Sequence, residues 1–248
     1  MPDFKLGDLF TEGASGFWID ANNRWAMRQD AAGTIPVTED GQPVGFMRET
    51  SGTNQPLTQA SAPKCPIYRT DGTQSWLELT GGQYLEGTNL LNSEDAAATQ
   101  FTVMAVIEQP VAEGMALFNA YRAEEPSYGI SLATPGPDVT LYQLAVTDAV
   151  EAGIVECKNP GPDPVALIGR VNLITGDSTL VAGAESNTAA MNPFIPGFPG
   201  VPFAVGAGVG GTFGFKGKLY SFLCVSRYIT DDEQAQALTE LKRLAGIQ

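Results

Sequence analysis

The sequence predicts an all-β protein, an antiparallel sandwich of short strands closed by one C-terminal α-helix. Three observations lead there. Apolar, β-branched and aromatic runs recur at intervals of roughly 10 to 15 residues, with no helical period between them. Gly 28 and Pro 17 are abundant while charged residues make up only 17 %, a composition that suits strands joined by tight turns. A single capped amphipathic stretch occurs, at the very end of the chain.

The elements follow in order. Residues 1–75 form a turn-rich opening section, in which Phe17-Trp18-Ile19 is a compact apolar run closed by Asp20, Asn22 and Asn23. Gly33, Asp40-Gly41 and Asp71-Gly72 supply turn signals, and residues 34–38 and 44–47 read as short strands between them. A strand over 76–79 ends at Gly81-Gly82, and 101–107 (FTVMAVI) is the clearest buried strand. Further strands are expected over 116–121, 128–132, 140–146, 165–171 and 178–181, separated by PGPD, NPGPDP and TGD turn chemistry. Residues 218–226 (KLYSFLCVS) alternate so as to bury either Leu219, Ser221, Leu223 and Val225 or their neighbours. Thr230-Asp231-Asp232-Glu233 is a capping box with acids at the positive end of the helix dipole. Ala235, Leu238, Leu241 and Leu244 follow at helical spacing, and Gly246 closes the helix, which is expected against an end or edge of the sandwich. The whole chain, 1–248, is expected to be one domain: the opening section 1–75, a Pro/Gly-rich apolar arm over 186–203 and the helix over 230–246.

Composition excludes several kinds of chemistry. With no histidine, Ser-His-Asp and Cys-His pairs, histidine-ligated zinc and a histidine base are unavailable. Lys+Arg 14 against Asp+Glu 28 gives a net charge of −14, which argues against nucleic-acid binding. Cys65, Cys157 and Cys224 are an odd, widely spaced set: buried free thiols are expected, with one disulfide the alternative. The opening MPDFKLGDLFTEG lacks an apolar core, so no signal peptide is expected. The uncharged stretch 186–215 is broken by Pro193, Pro196, Pro199 and Pro202 and is not expected to insert in a membrane.

Two stretches carry resemblances. Residues 203–233, FAVGAGVGGTFGFKGKLYSFLCVSRYITDDE, resemble the closing section of laminin-G-like and concanavalin-A-like jelly-roll domains through Phe215, Gly217, Leu219, Phe222, Val225, Arg227, Ile229, Thr230 and Glu233. Leu9, Phe10, Gly13, Gly16, Trp18 and Asp20, followed by 29–33, 36–38, 41–45, 58–60 and Pro63, resemble a module common in tailed-bacteriophage virion proteins. Together the matches cover roughly 8–80 and 203–246. The resemblance implies a concanavalin-A-like sandwich serving as a non-catalytic structural protein of a virion: a capsid decoration or tail-appendage component, assembled in the host cytoplasm. Its implied partners are other virion proteins, further copies of itself and a host-surface glycan, with no cofactor. Where the family often has Phe-Asp-Gly-x-Asp-Asp, this chain has Leu79-Thr80-Gly81-Gly82-Gln83-Tyr84, so no calcium site carries over.

Alternatives are a stand-alone carbohydrate-binding module or a diverged glycoside hydrolase. Hydrolases on this fold need two carboxylates about 5 to 9 Å apart. Here the acids are adjacent, as in Glu39-Asp40, Glu94-Asp95, Glu124-Glu125 and Asp231-Asp232-Glu233, so on a strand they would face opposite ways. Gly206-Ala207-Gly208-Val209-Gly210-Gly211 lacks the strand–turn–helix setting of a dinucleotide loop and reads as a glycine-rich strand or loop of the jelly roll. Prolines at every third position of 193–202 favour an extended path displaying Phe194, Ile195, Phe198, Val201 and Phe203, the candidate subunit interface. The alternative is that this arm folds back over a sheet edge. Trp25, set among Asn23, Arg24 and Arg28, is the candidate for stacking on a glycan ring, whereas Trp18 reads as core.

Overall fold

The computed structural model describes residues 4–10, 13–52, 55–88, 90, 98–109, 115–122, 128–134, 140–147, 152–191 and 201–247. Its strands in the first third are β1 (Gly16–Asp20), β2 (Met27–Arg28), β3 (Phe46–Met47), β4 (Leu57–Thr58), β5 (Ile67–Thr70), β6 (Ser75–Thr80) and β7 (Leu85–Gly87). The middle holds β8 (Gln100–Glu108), β9 (Met115–Arg122), β10 (Tyr128–Thr134), β11 (Leu141–Thr147) and β12 (Ala152–Lys158). Then come β13 (Val165–Asn172), β14 (Asp177–Ala182), β15 (Glu185–Ala190), β16 (Phe203–Val205), β17 (Lys216–Val225) and α1 (Asp231–Leu244).

All named strand pairs are antiparallel. They form an eight-stranded first sheet, β15-β14-β13-β8-β17-β6-β5 with β1 on β17, and a nine-stranded second sheet, β12-β11-β10-β9-β16-β7-β4-β3-β2. The core between them is built from alternate residues such as Phe101, Val103, Ala105 and Ile107 of β8 and Tyr142, Leu144 and Val146 of β11.

The helix lies on a face of the sandwich, not at its end or edge: α1 packs on β13, β8 and β17. A second cluster accounts for this. Met104, Val106, Ile168, Leu223 and Val225 point away from the first core and are buried under Leu6, Leu9, Ala237, Leu241 and Leu244. The first sheet is therefore covered on both faces, and its central strands read as continuous apolar runs rather than alternating ones. The alternation expected along β17 is interrupted for a related reason. The register shifts between Leu219 and Ser221, so Leu219 and Phe222 face the inner core while Tyr220 and Leu223 face the helix.

The capping box forms as expected. The Glu233 N–H donates to Thr230 Oγ1 (3.2 Å) and the Thr230 N–H to Glu233 Oε2 (2.8 Å). Arg170, buried within β13, anchors the same helix end by donating to Asp231 Oδ1 (2.6 Å) and to the Ile229 carbonyl (3.2 Å). The three cysteines are free and buried. No helix of the described residues is long and apolar enough to cross a membrane.

Candidate functional site

The helix covers the first sheet, and among the described residues no helix packs on the outer face of the second, where β9 to β12 carry partly exposed residues. Its floor consists of small side chains in register. Asn119, Ser131 and Ala145 lie across β9, β10 and β11, ending at Ile154 on β12, while Ala204 of β16 in the same row is buried in a cluster with Tyr84 and Ala207. A parallel row runs Ala116, Ala133, Gln143, Glu156. A third joins Tyr121, Gly129 and Thr147. Tyr121 (44 % exposed) and Ile154 (45 %) stand above this floor as apolar walls. The Gln143 Nε2 donates to Glu156 Oε1 (3.0 Å), fixing the amide across two strands. Small floor, raised aromatic and fixed amides together offer a flat polar ring both a stacking surface and hydrogen-bond partners.

One end of the face is walled by the glycine-rich loop 206–214, which settles the expectation for the 206–211 glycines: it is a loop, not a strand. The Val209 N–H donates to Asn119 Oδ1 and the Gly210 N–H to Glu86 Oε1, both at 3.3 Å. The Ala116 N–H donates to the Phe213 carbonyl at 2.7 Å. These bonds hold Phe213 at φ +50°, the one residue other than glycine with positive φ among those described, with its ring 77 % exposed. A bulky residue in that region is strained, and an exposed aromatic adds a hydrophobic cost. Strain and exposure at one position make Phe213 a candidate contact residue.

The carboxylates that the described residues place on this face are Glu86 and Glu156. They sit on β7 and β12, five strand steps apart, roughly 24 Å. Glycoside hydrolysis needs its two carboxyls within about 10 Å of each other. Among the described residues no group of three or more cysteines and carboxylates is placed to hold a metal ion.

The structure divides the residues singled out in the sequence. Trp25 is 85 % exposed on the 3-10 turn Arg24–Ala26 and available to a ligand. Trp18 is partly buried on the helix side, its Nε1 donating to Ser221 Oγ (3.1 Å). Phe194, Ile195 and Phe198 lie outside the described residues. Val201 and Phe203 do not form an interface surface: both are buried in the inner core, at 0 % and 2 % exposure. The Phe203 ring fills the space over Gly87, where a Cβ would collide with it, and β16 is held between β7 and β9. Tyr121, Gln143 and Phe213 were not distinguishable in the sequence. The apolar run over 116–121 marked a strand, but not which of its residues face outward.

The N-terminal pattern proves architectural. Asp30 Oδ1 accepts from the Thr34 and Ile35 N–H groups, and Gln42 Oε1 accepts from those of Thr38 and Glu39. Gly45 packs so closely that a Cβ would sit 2.6 Å from the Gln29 carbonyl oxygen.

No family model matches the chain, and no curated protein sequence matches it significantly. Solved structures do. Domain 4 of AbnA, a GH43 extracellular arabinanase from Geobacillus stearothermophilus solved with arabinotriose, is similar over 94 % of this chain and 100 % of its own, with TM-score 0.56 and 16 % identity. The receptor-binding domain of botulinum neurotoxin D is similar over 78 % of this chain and 49 % of its own, with TM-score 0.59 and 12 % identity. A GH54 α-L-arabinofuranosidase is similar over 83 % of this chain and 51 % of its own, with TM-score 0.57 and 11 % identity. The chain thus spans about half the length of the neurotoxin and arabinofuranosidase chains. At these identities the likeness establishes the fold. The protein is an antiparallel β-sandwich of two sheets with one C-terminal helix.

Proposed function

We propose that the chain is a non-catalytic glycan-recognition module carried on the surface of a tailed-phage particle, as a capsid decoration or tail-appendage component. The observation that carries the recognition reading is the outer face of the second sheet, a floor of Ala, Ser and Asn between Tyr121 and the strained Phe213. Similar folds support it, since one was solved with arabinotriose and another is a receptor-binding domain. The wide separation of Glu86 from Glu156 favours binding over hydrolysis.

The particle setting is supported by the N-terminal pattern and its resemblance to virion proteins. On this reading the module assembles in the host cytoplasm and reaches the virion through other capsid or tail proteins. Phe194, Ile195 and Phe198 are the remaining candidates for contact between copies.

The recognition reading is tested by a glycan array with the purified chain, followed by titration of the best ligand against Tyr121→Ala and Gln143→Ala. Saturable binding weakened by both variants is expected; a blank array, or binding indifferent to both, refutes it. The setting is tested by mass spectrometry of purified particles, where the chain must be present in stoichiometric amount. The oligomer is tested by light scattering of wild type against Phe194→Ser/Phe198→Ser, and a monomer in both refutes self-association.

A further inference from the structure

Trp25 lies at the opposite edge of the second sheet from β12, five strand steps or roughly 24 Å from β9, the strand that carries Tyr121. Its turn is firmly held. The Ala26 N–H donates to the Asn23 carbonyl (3.0 Å), and Arg28 Nη1 donates to the carbonyls of Trp25 (2.8 Å) and Met27 (2.7 Å). Arg24 Nη1 donates to the Thr38 carbonyl (2.8 Å). Arg48 enters from the neighbouring strand, its backbone N–H donating to the Ala26 carbonyl (2.8 Å). Arg24, Arg28 and Arg48 thus all belong to the segments that hold the turn bearing the most exposed large apolar side chain of the described residues.

These arginines belong to a chain where acids outnumber bases 28 to 14. Arg69, Arg170, Arg227 and Arg243 each pair with a carboxylate at 3.3 Å or less. Arg24, Arg28 and Arg48 pair with none among the described residues. The acids nearest in sequence are engaged elsewhere. Asp30 accepts from Thr34 and Ile35, Glu49 is buried and accepts from Ser51 and Gly52, and Asp40 pairs with Arg69. Glu39 is exposed on the adjoining turn and forms no ion pair with the arginines. The result is a set of arginines without ion pairs on the segments that carry an exposed indole ring.

We infer that this corner is a second binding site, for an anionic saccharide. The sugar's apolar ring face lies on the indole of Trp25, and its acid group is held by the guanidiniums, whose planar fork suits a carboxylate or phosphate. A short ligand with one charge is favoured over a polyanion, because the rest of this acidic surface repels extended negative charge. The inference shares the kind of ligand with the proposed function but none of its residues.

The test is calorimetric titration of the full chain with three matched oligosaccharides, one ending in a uronic acid, one in its neutral methyl ester and one in a sugar phosphate. The expected result is binding of the uronic acid about ten-fold or more tighter than of the ester, lost in high salt. Trp25→Ala and the double variant Arg28→Gln/Arg48→Gln reduce it by about the same factor, while Ile174→Ala, at an exposed residue outside both sites, leaves it unchanged. The phosphate arm decides which acid group is preferred. Equal affinity for acid and ester overturns the proposal, as does indifference to Trp25→Ala or absence of binding by both charged sugars. Loss on Tyr121→Ala with Trp25→Ala silent transfers the ligand to the sheet face and also overturns it. Trp25 is too exposed for its removal to unfold the chain, which a thermal melt of each variant confirms.

Discussion

The ring of Phe203 stacks on that of Phe17 with 4.5 Å between centroids and 29° between planes. Phe17 stacks in turn on Phe222 at 5.4 Å, and Phe118 closes the group at 4.8 Å from Phe222. The residue that ends the proline-rich arm is thus locked between the two sheets, against the opening strand β1 and the closing strand β17. Phe203→Ala empties the centre of this group and is expected to cost about 3–5 kcal/mol, read by denaturant unfolding. An interface role for Phe203 predicts instead a change of mass with little change in stability, so unfolding and light scattering together separate the two.

Gly16 adopts φ +146°, and a Cβ there would run into the Cys224 carbonyl oxygen, because β1 lies directly on β17. Gly16→Ala is expected to destabilise by more than about 1 kcal/mol. Gly72 also has positive φ, but nothing lies within 4 Å of a Cβ built on it. Gly72→Ala therefore suffers backbone strain alone and is the milder of the two. Equal melting temperatures for the two variants would contradict the close β1–β17 approach.

Cys65, Cys157 and Cys224 are buried free thiols, and burial pushes all three above the ordinary thiol pKa. In the native protein none should react with a bulky disulfide reagent near neutral pH, and all three should titrate once the chain is unfolded. One fast native thiol would place that cysteine at the surface.

The strands β8 to β11, β13, β14 and β17 were legible because their residues are buried on at least one face and the apolar pattern records that burial. β12 and β15 were not. β15 (ESNTAA) is largely exposed and has no apolar period; it forms by pairing with β14 at the sheet edge. β12 (AGIVECK) was hidden by its small and charged residues, although Val155 and Cys157 face the core. The helix was legible from its cap and period, yet its seat was not. The cue lay in β8, whose unbroken run FTVMAVI implies a cover on both faces, and only the C-terminal helix and the segment around Leu6 and Leu9 were available to provide it. For the candidate site, Trp25 was visible as an aromatic among arginines, whereas the sheet face required knowing which side of β9–β12 remains open.

Glu233 joins the cap to the closing strand: Arg227 donates to both its oxygens, at 2.9 and 2.7 Å. These bonds, Arg227 foremost, hold its carboxyl below the ordinary value of 4.5. A depressed carboxyl contributes stability above the unfolded pKa and loses it as pH falls through the folded one. Glu233→Gln is therefore expected to cost roughly 1–2 kcal/mol at neutral pH, and the gap from wild type should narrow below pH 4.5. Other carboxyls titrate in the same window but are common to both proteins and cancel in the difference. A gap independent of pH would remove the ion pair from the explanation.

Phe213 allows stability and recognition to be separated. At φ +50° its backbone is strained, and the 77 % exposed ring contributes little packing. Phe213→Gly relieves the strain and removes an exposed apolar surface, against the entropy that glycine adds to the unfolded chain. The balance is expected to leave stability unchanged or higher by up to about 1 kcal/mol, while affinity for a glycan bound on the second sheet's outer face falls. A ring that merely packs the loop predicts the reverse, a less stable variant that binds as before. Parallel melts and titrations of wild type and Phe213→Gly decide between them, since strain kept in the native state is explained only if the strained residue makes contact with something outside the fold.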